Sequence, residues 1–236
     1  MSDPVQMELF GGNDTGPACR KSSVDRRRDP LFLRNQFPGE GKWGIPLVRN
    51  QEIPLDGVGL LACTNMTFPD HENFDLGIHH FVDDYRFDGV YEHPEKSLRL
   101  YRQYRFVCTP DCSVYGDMQP WRQLESVARS RWVGAYWQRK GLVVVPTVSW
   151  DAWPSFEFCF SGIKEGCVVA VATYACRQSR SGFLRGYAEM LRRVRPEAVI
   201  CYGDPIPEMG GNVIFVPAKS PRQLHRDLPK RMNCMR

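Results

Sequence analysis

Acidic residues of this chain gather just after short apolar runs, a placement suited to proton transfer or metal-assisted chemistry. Asp83-Asp84 follows Ile78-His79-His80-Phe81-Val82, and Asp111 follows Arg105-Phe106-Val107-Cys108-Thr109, with Tyr115 four residues further on. Carboxylates converging from several strand ends can bind a divalent cation or divide acid and base roles. Asp83, Asp84 and Asp111 are therefore candidate catalytic residues, and Tyr115 is a weaker candidate nucleophile. Adjacent residues leaving a strand face opposite ways, so only one of Asp83 and Asp84 should point inward; the other would pair with Arg86 or cap a turn. Asp111 follows Pro110 and reads equally well as a turn residue. A divalent cation is the one cofactor the pattern suggests, and no metal ligand set is specified. Cys108-x-x-x-Cys112 lacks a second Cys or His pair at zinc spacing and reads as buried small side chains. No Gly-x-Ser-x-Gly or His-Glu-x-x-His motif is present.

A second kind of chemistry is recognition. Gln6-Met7-Glu8-Leu9-Phe10 has the Gln-x-x-Leu-Phe form by which bacterial replication and repair proteins dock onto the DNA sliding clamp. Gln6 offers amide donors and an acceptor, while Leu9 and Phe10 are bulky apolar residues in a Gly-, Asp- and Asn-rich tail with nothing local to bury them. The alternative is that Leu9 and Phe10 fold back onto the domain. Arg26, Arg27 and Arg28 sit in one basic cluster, and Arg226, Lys230 and Arg231 in another near the C-terminus. Such clusters suit phosphate neutralisation on nucleic acid, or simply keep a tail soluble. Arg131, beside Trp132, Tyr136 and Trp137, adds a mix of cations and aromatics able to stack bases, although helical spacing makes half of these aromatics core residues.

Strand-like runs lie at 59–63, 78–82, 105–109, 142–148, 167–172, 198–202 and 212–216. One helix is expected from Pro94, with Leu98, Tyr101 and Tyr104 on one face. A long one should run from after Asp117 to Gly141, and a third carries Phe183, Leu184, Tyr187, Leu191 and Val194 before Pro196. Strands apolar throughout and separated by amphipathic helices predict an α/β fold of parallel strands, a compact or incomplete β/α barrel, with an open doubly wound sheet as the alternative. Functional groups then collect where strands end. Residues 1–40 are expected to be a disordered arm, 41–217 the α/β domain and 218–236 a basic tail.

Composition sets the outer bounds. The chain has 236 residues, 42% hydrophobic and 25% charged, with a formal net charge of +4. Those values fit a soluble domain with a substantial core and exclude a histone-like polycation. No apolar run reaches the length of a membrane span and no signal-peptide pattern opens the chain, which predicts a cytoplasmic protein without a membrane partner. Nine cysteines, an odd number with several (Cys108, Cys167, Cys176, Cys201) in or beside apolar runs, read as reduced thiols.

Several longer strings occur in order: Phe81-Val82-Asp83-Asp84-Tyr85-Arg86-Phe87, Thr109-Pro110-Asp111-Cys112-Ser113-Val114-Tyr115-Gly116-Asp117-Met118, Arg131-Trp132-Val133-Gly134-Ala135-Tyr136-Trp137-Gln138, Val145-Pro146-Thr147-Val148-Ser149-Trp150 and Phe156-Glu157-Phe158-Cys159-Phe160-Ser161-Gly162-Ile163. Together they resemble the domain-of-unknown-function family 4417, over about residues 43 to 217. The resemblance implies a phage or mobile-element setting and no particular reaction. Three readings follow: a replication-associated DNA-transaction protein recruited by the bacterial sliding clamp, a β/α-barrel enzyme acting on a small molecule or nucleoside, and a non-enzymatic clamp-binding inhibitor of host replication.

Overall fold

The computed structural model describes residues 22–173 and 179–218. Gln6, Leu9 and Phe10 of the clamp-like peptide lie outside them, as do Tyr174, Arg177, Arg226, Lys230 and Arg231. After two short helices, α1 (Ser23–Arg27) and α2 (Pro30–Leu33), a small antiparallel ribbon pairs β1 (Gly39–Glu40) with β2 (Ile45–Pro46).

The main architecture is a run of parallel strands in chain order. The first four are β3 (Leu60–Ala62), β4 (Gly77–His79), β5 (Phe106–Cys108) and β6 (Val144–Val145). A second parallel set holds β7 (Val169–Ala172), β8 (Val199–Tyr202) and β9 (Val213–Val216). A parallel bridge between Thr147 and Ala170 joins the two sets. The strand expected over 142–148 pairs regularly only at Val144 and Val145 because Pro146 has no N–H to give. Beyond it the pairing resumes as Val148 N–H donates to Ala170 O (2.8 Å) and Ala170 N–H to Pro146 O (2.9 Å).

Seven strands in sequential order suit a barrel, whereas a doubly wound sheet must reverse its order. Side-chain packing shows the curl. The rings of His79 on β4 and Tyr202 on β8 are 4.3 Å apart. On a flat sheet, four strand spacings would separate them by roughly 19 Å. One cluster of buried residues therefore fills the inside: Leu60, Phe106, Val145, Ala170, Ile200 and Val216 come from six different strands. Gly77 lacks the Cβ that would strike the Phe106 ring, so Phe106 can occupy this interior. The described strands form an incomplete barrel, with β3 and β9 as its unpaired edges.

Helices cover the outside. Between β4 and β5 lie α3 (Gly89–Glu92) and α4 (Leu98–Tyr101), between β5 and β6 lies α5 (Pro120–Arg139), and between β7 and β8 lies α6 (Arg180–Val194). The helix expected from Pro94 shrinks to the single turn of α4, and Tyr104 is buried just beyond it. Helix α6 is amphipathic, as its spacing predicts, and sets Phe183, Tyr187, Met190 and Val194 against β7 and β8. Helix α5 differs, because every residue from Ser130 to Gln138 is buried. It is enclosed by the sheet on one side and by earlier chain segments on another.

Those segments correct the expected arm boundary. Residues 22–40, taken from composition as part of a disordered arm, are structured. Ser22 and Asp25 form a reciprocal cap on α1. The Arg34 guanidinium lies 4.0 Å from the Tyr91 ring centre and 4.1 Å from that of Trp132. Trp132 Nε1–H donates to Gln36 Oε1 (3.0 Å), and Phe37 meets the same indole edge-on. Residues 34–37 thus belong to the domain. Arg26, Arg27 and Arg28 remain exposed on and just after α1.

Candidate functional site at the strand ends

The loops leaving β4, β5 and β6 are laced together by the residues that the sequence singles out. Asp84 reaches the β5 loop, where its carboxylate accepts from Ser113 N–H (3.0 Å) and from the Ser113 hydroxyl (2.7 Å). Asp111, at the end of β5, accepts from the Ser149 hydroxyl of the β6 loop. Below them, Thr147 N–H donates to Thr109 Oγ1 (2.9 Å) and the Thr147 hydroxyl to Thr109 O (2.7 Å). The mouth therefore has a braced floor.

Asp83 faces the other way; it lies beyond the end of β4, just before a single 3-10 turn over Asp84–Arg86. Its exposed carboxylate is 3.9 Å from the also exposed but less open Arg86, a pair that contributes little. Of the three candidate carboxylates, Asp84 and Asp111 lie at the mouth and Asp83 turns away from it. Among the described residues, no three His, Cys, Asp or Glu side chains come close enough to hold a metal ion.

Asp111 is electrostatically the most perturbed carboxylate in the mouth. Desolvation raises its pKa to about 6, against the hydrogen bond from Ser149; Asp84 raises it further and Arg131 lowers it. A carboxyl with that value can hold or release a proton near neutrality.

Arg131, expected to face nucleic acid, is only 2% exposed. Its guanidinium donates to Thr147 O (2.7 Å), Cys159 O (3.0 Å) and Ser161 O (3.2 Å). Burial pulls its pKa down to about 10, which leaves it charged at neutral pH. The residue is a buried brace between α5, the end of β6 and the 159–161 turn. It presents no cation to a ligand outside. Trp132 and Trp137 are likewise core residues.

His79 at the end of β4 and His80 just after it are core residues too. His80 Nδ1–H donates to Cys108 O (2.9 Å), which obliges Nε2 to accept from the Tyr101 hydroxyl (2.8 Å). Burial drives both His79 and His80 down to about 3, so they are neutral. Cys108 is fully buried, and burial raises the Cys112 thiol to about 12.

Exposed aromatics occupy the same end of the barrel. Tyr85 is 70% exposed after β4, Tyr115 is 60% exposed after β5, Trp121 is 67% exposed in the first turn of α5, and Trp153 is 68% exposed after β6. The Arg86 guanidinium lies 5.3 Å from the Tyr85 ring centre, and the partly buried Arg122 pairs with Glu125. The aromatic and basic mix expected from the sequence lies in the second half of α5. The structure buries that part and exposes a different set. The available signal was position, since each of these four follows a strand end.

The family described as Domain of unknown function (DUF4417) matches residues 37–218. Among curated proteins, the Gene 1 protein of Mycobacterium phage L5 is 37% identical over 197 residues, covering 80% of this chain and 83% of the phage protein. The Gene 1 protein of Mycobacterium phage D29 is 37% identical over 183 residues, covering 74% of this chain and 66% of that protein, just under two thirds of its length. No solved structure matches.

Proposed function

We propose that this chain, which belongs to the DUF4417 family, is a DNA-transaction protein of a phage or mobile element that holds nucleic acid across the C-terminal rim of its barrel. The observation that carries this reading is the set of exposed aromatics, Tyr85, Tyr115, Trp121 and Trp153, on the connections that follow β4, β5 and β6 at one end of the parallel strands. Four large rings left in water are poor for solubility and good for stacking bases, each worth roughly 1–3 kcal/mol. Arg86 and Arg122 on the same rim, with Arg26, Arg27 and Arg28 exposed elsewhere, supply cations for phosphates. Recruitment through Gln6, Leu9 and Phe10 to a bacterial sliding clamp is part of the same proposal and rests on the sequence alone. The similarity to phage proteins supports the setting.

Fluorescence anisotropy with a labelled single-stranded oligonucleotide tests the reading. Binding should weaken steeply as salt rises from about 50 to about 200 mM. The Tyr85→Ala/Trp121→Ala variant should bind at least roughly tenfold more weakly, since two stacking contacts are lost. Equal binding by both proteins would overturn the rim as the interface.

A second reading is favoured by Asp111, whose pKa of about 6 suits a general acid or base. On that reading the chain is a β/α-barrel enzyme acting on a small molecule or nucleoside, with Asp111 as the proton carrier and Asp84 fixing the β5 loop beside it. Clamp binding without DNA affinity would instead favour the inhibitor of host replication.

A further inference from the structure

A small chamber lies behind the mouth, enclosed by α5, the loop after β5 and the end of β6. Its volume is about 10 Å³, near the least that admits one water molecule and too small for an organic ligand. Polar residues line it from two sides, Ser126, Ser130 and Arg131 on α5, and Thr147 and Ser149 at and after the end of β6. All of these but the half-buried Ser149 are buried.

Most of these groups are already matched. Arg131 gives its N–H groups to the carbonyls of Thr147, Cys159 and Ser161. The Thr147 hydroxyl donates to Thr109 O, and the Ser130 and Thr109 hydroxyls share a bond of 3.0 Å. Two hydrogen-bonding capacities are left. The hydroxyl of Ser126, a residue only 4% exposed, meets no hydrogen-bond partner among the described residues. The Ser149 hydroxyl has given its one hydrogen to Asp111, which leaves its oxygen able to accept. A buried hydroxyl without a partner is costly, and a water molecule removes that cost where it fits. An ion fits worse. The Arg131 charge on the wall opposes a cation, and its N–H groups are already spent on carbonyls, so none is left to hold an anion.

We propose that this chamber binds one ordered water molecule, which hydrogen-bonds the Ser126 hydroxyl and donates to Ser149 Oγ, linking α5 through Ser149 to the Asp111 carboxyl. The placement stands on the chamber and its hydroxyls alone. Its use rests on the acid–base reading of Asp111, for which the water and Ser149 form a proton path. A proton arriving at the water from solvent moves one of the water's hydrogens to Ser149 Oγ and the Ser149 hydrogen to Asp111. The carboxylate gains one proton, and the water and the serine end as they began.

A high-resolution crystal structure of the full chain tests the site directly. One density peak should lie in the chamber at about 2.5–3.0 Å from both Ser126 Oγ and Ser149 Oγ. An empty chamber, or a peak bonded to neither hydroxyl, would overturn the proposal. In solution, oxygen-17 relaxation dispersion should count one long-lived water fewer in Ser126→Thr than in the wild type, because the added methyl fills the chamber and the hydroxyl is kept. An unchanged count would also overturn the site. In the same variant the carboxyl carbon-13 titration of Asp111 should move its midpoint up by about half a pH unit, since Ser149 donates more weakly without the water behind it. An unmoved midpoint in a variant that has lost the water would overturn the link to Asp111. The crystal structure decides the site even where the variant fails to fold. None of these measurements uses a reaction, so failure of the acid–base reading is seen separately, as activity that survives Asp111→Asn.

Discussion

Asp111 shows how one side chain acquires a property that its type does not carry. Its carboxyl is desolvated at the end of β5, and the one hydroxyl it accepts from, Ser149, does not offset the loss of water. Its folded pKa of about 6 lies above the ordinary carboxylate value, so the folded state holds an extra proton between about pH 4 and pH 6. The contribution to stability is therefore complete at low pH and lost as pH rises through about 6. Asp111→Asn keeps an acceptor for Ser149 without the charge. It should match the wild type near pH 4 and exceed it by roughly 2 kcal/mol above about pH 7, read from urea unfolding at both pH values. A difference that stays constant with pH would refute the assignment. His79 and His80 act oppositely, since their depressed values cost stability as pH falls below about 6.5, but they are common to both proteins and cancel in the comparison. That Asp111 ends a strand was legible in the sequence. Its desolvation was not, because the groups that shield it come from α5 and the β6 loop.

At the scale of elements, α6 and the β6 loop are fitted together by a missing side chain. A Cβ on Gly186 would sit 2.1 Å from the Trp150 indole. Trp150 in turn packs on Phe183, with ring centres 5.1 Å apart. Alanine favours a helix over glycine by about 1 kcal/mol, yet the overpacking here costs roughly 1–3 kcal/mol. Gly186→Ala should thus lower the urea midpoint and change Trp150 fluorescence; a more stable protein with unaltered fluorescence would contradict the packing. The apolar face of α6 was readable from its 3.6-residue period. Helix α5 was only half readable, because periodicity shows which residues are apolar and cannot show that a helix is enclosed on every side. That is why Arg131 looked like a surface cation. Its actual partners, the carbonyls of Thr147, Cys159 and Ser161, lie 16 to 30 positions away and carry no side-chain signature.

For the whole molecule, the fold and the terminal motif make separate statements. Among the described residues no helix is long and apolar enough to cross a membrane. The clamp-like peptide is tested with the intact chain, by pull-down against a bacterial sliding clamp. Wild type should retain the clamp and Leu9→Ala/Phe10→Ala should lose it by at least roughly tenfold, given two buried apolar anchors. Equal recovery would remove the recruitment half of the proposed function and leave the rim untouched. The sequence by itself determined the parallel α/β class, the family and the strand ends where polar residues gather, because these follow from local periodicity and continuous strings of residues. Only the tertiary structure decided that the strands curl until His79 meets Tyr202, that Asp84 turns in while Asp83 turns out, and that Arg131 is a buried brace. Each of those outcomes depends on which distant backbone lies alongside, and a pattern read along one chain does not contain that distance.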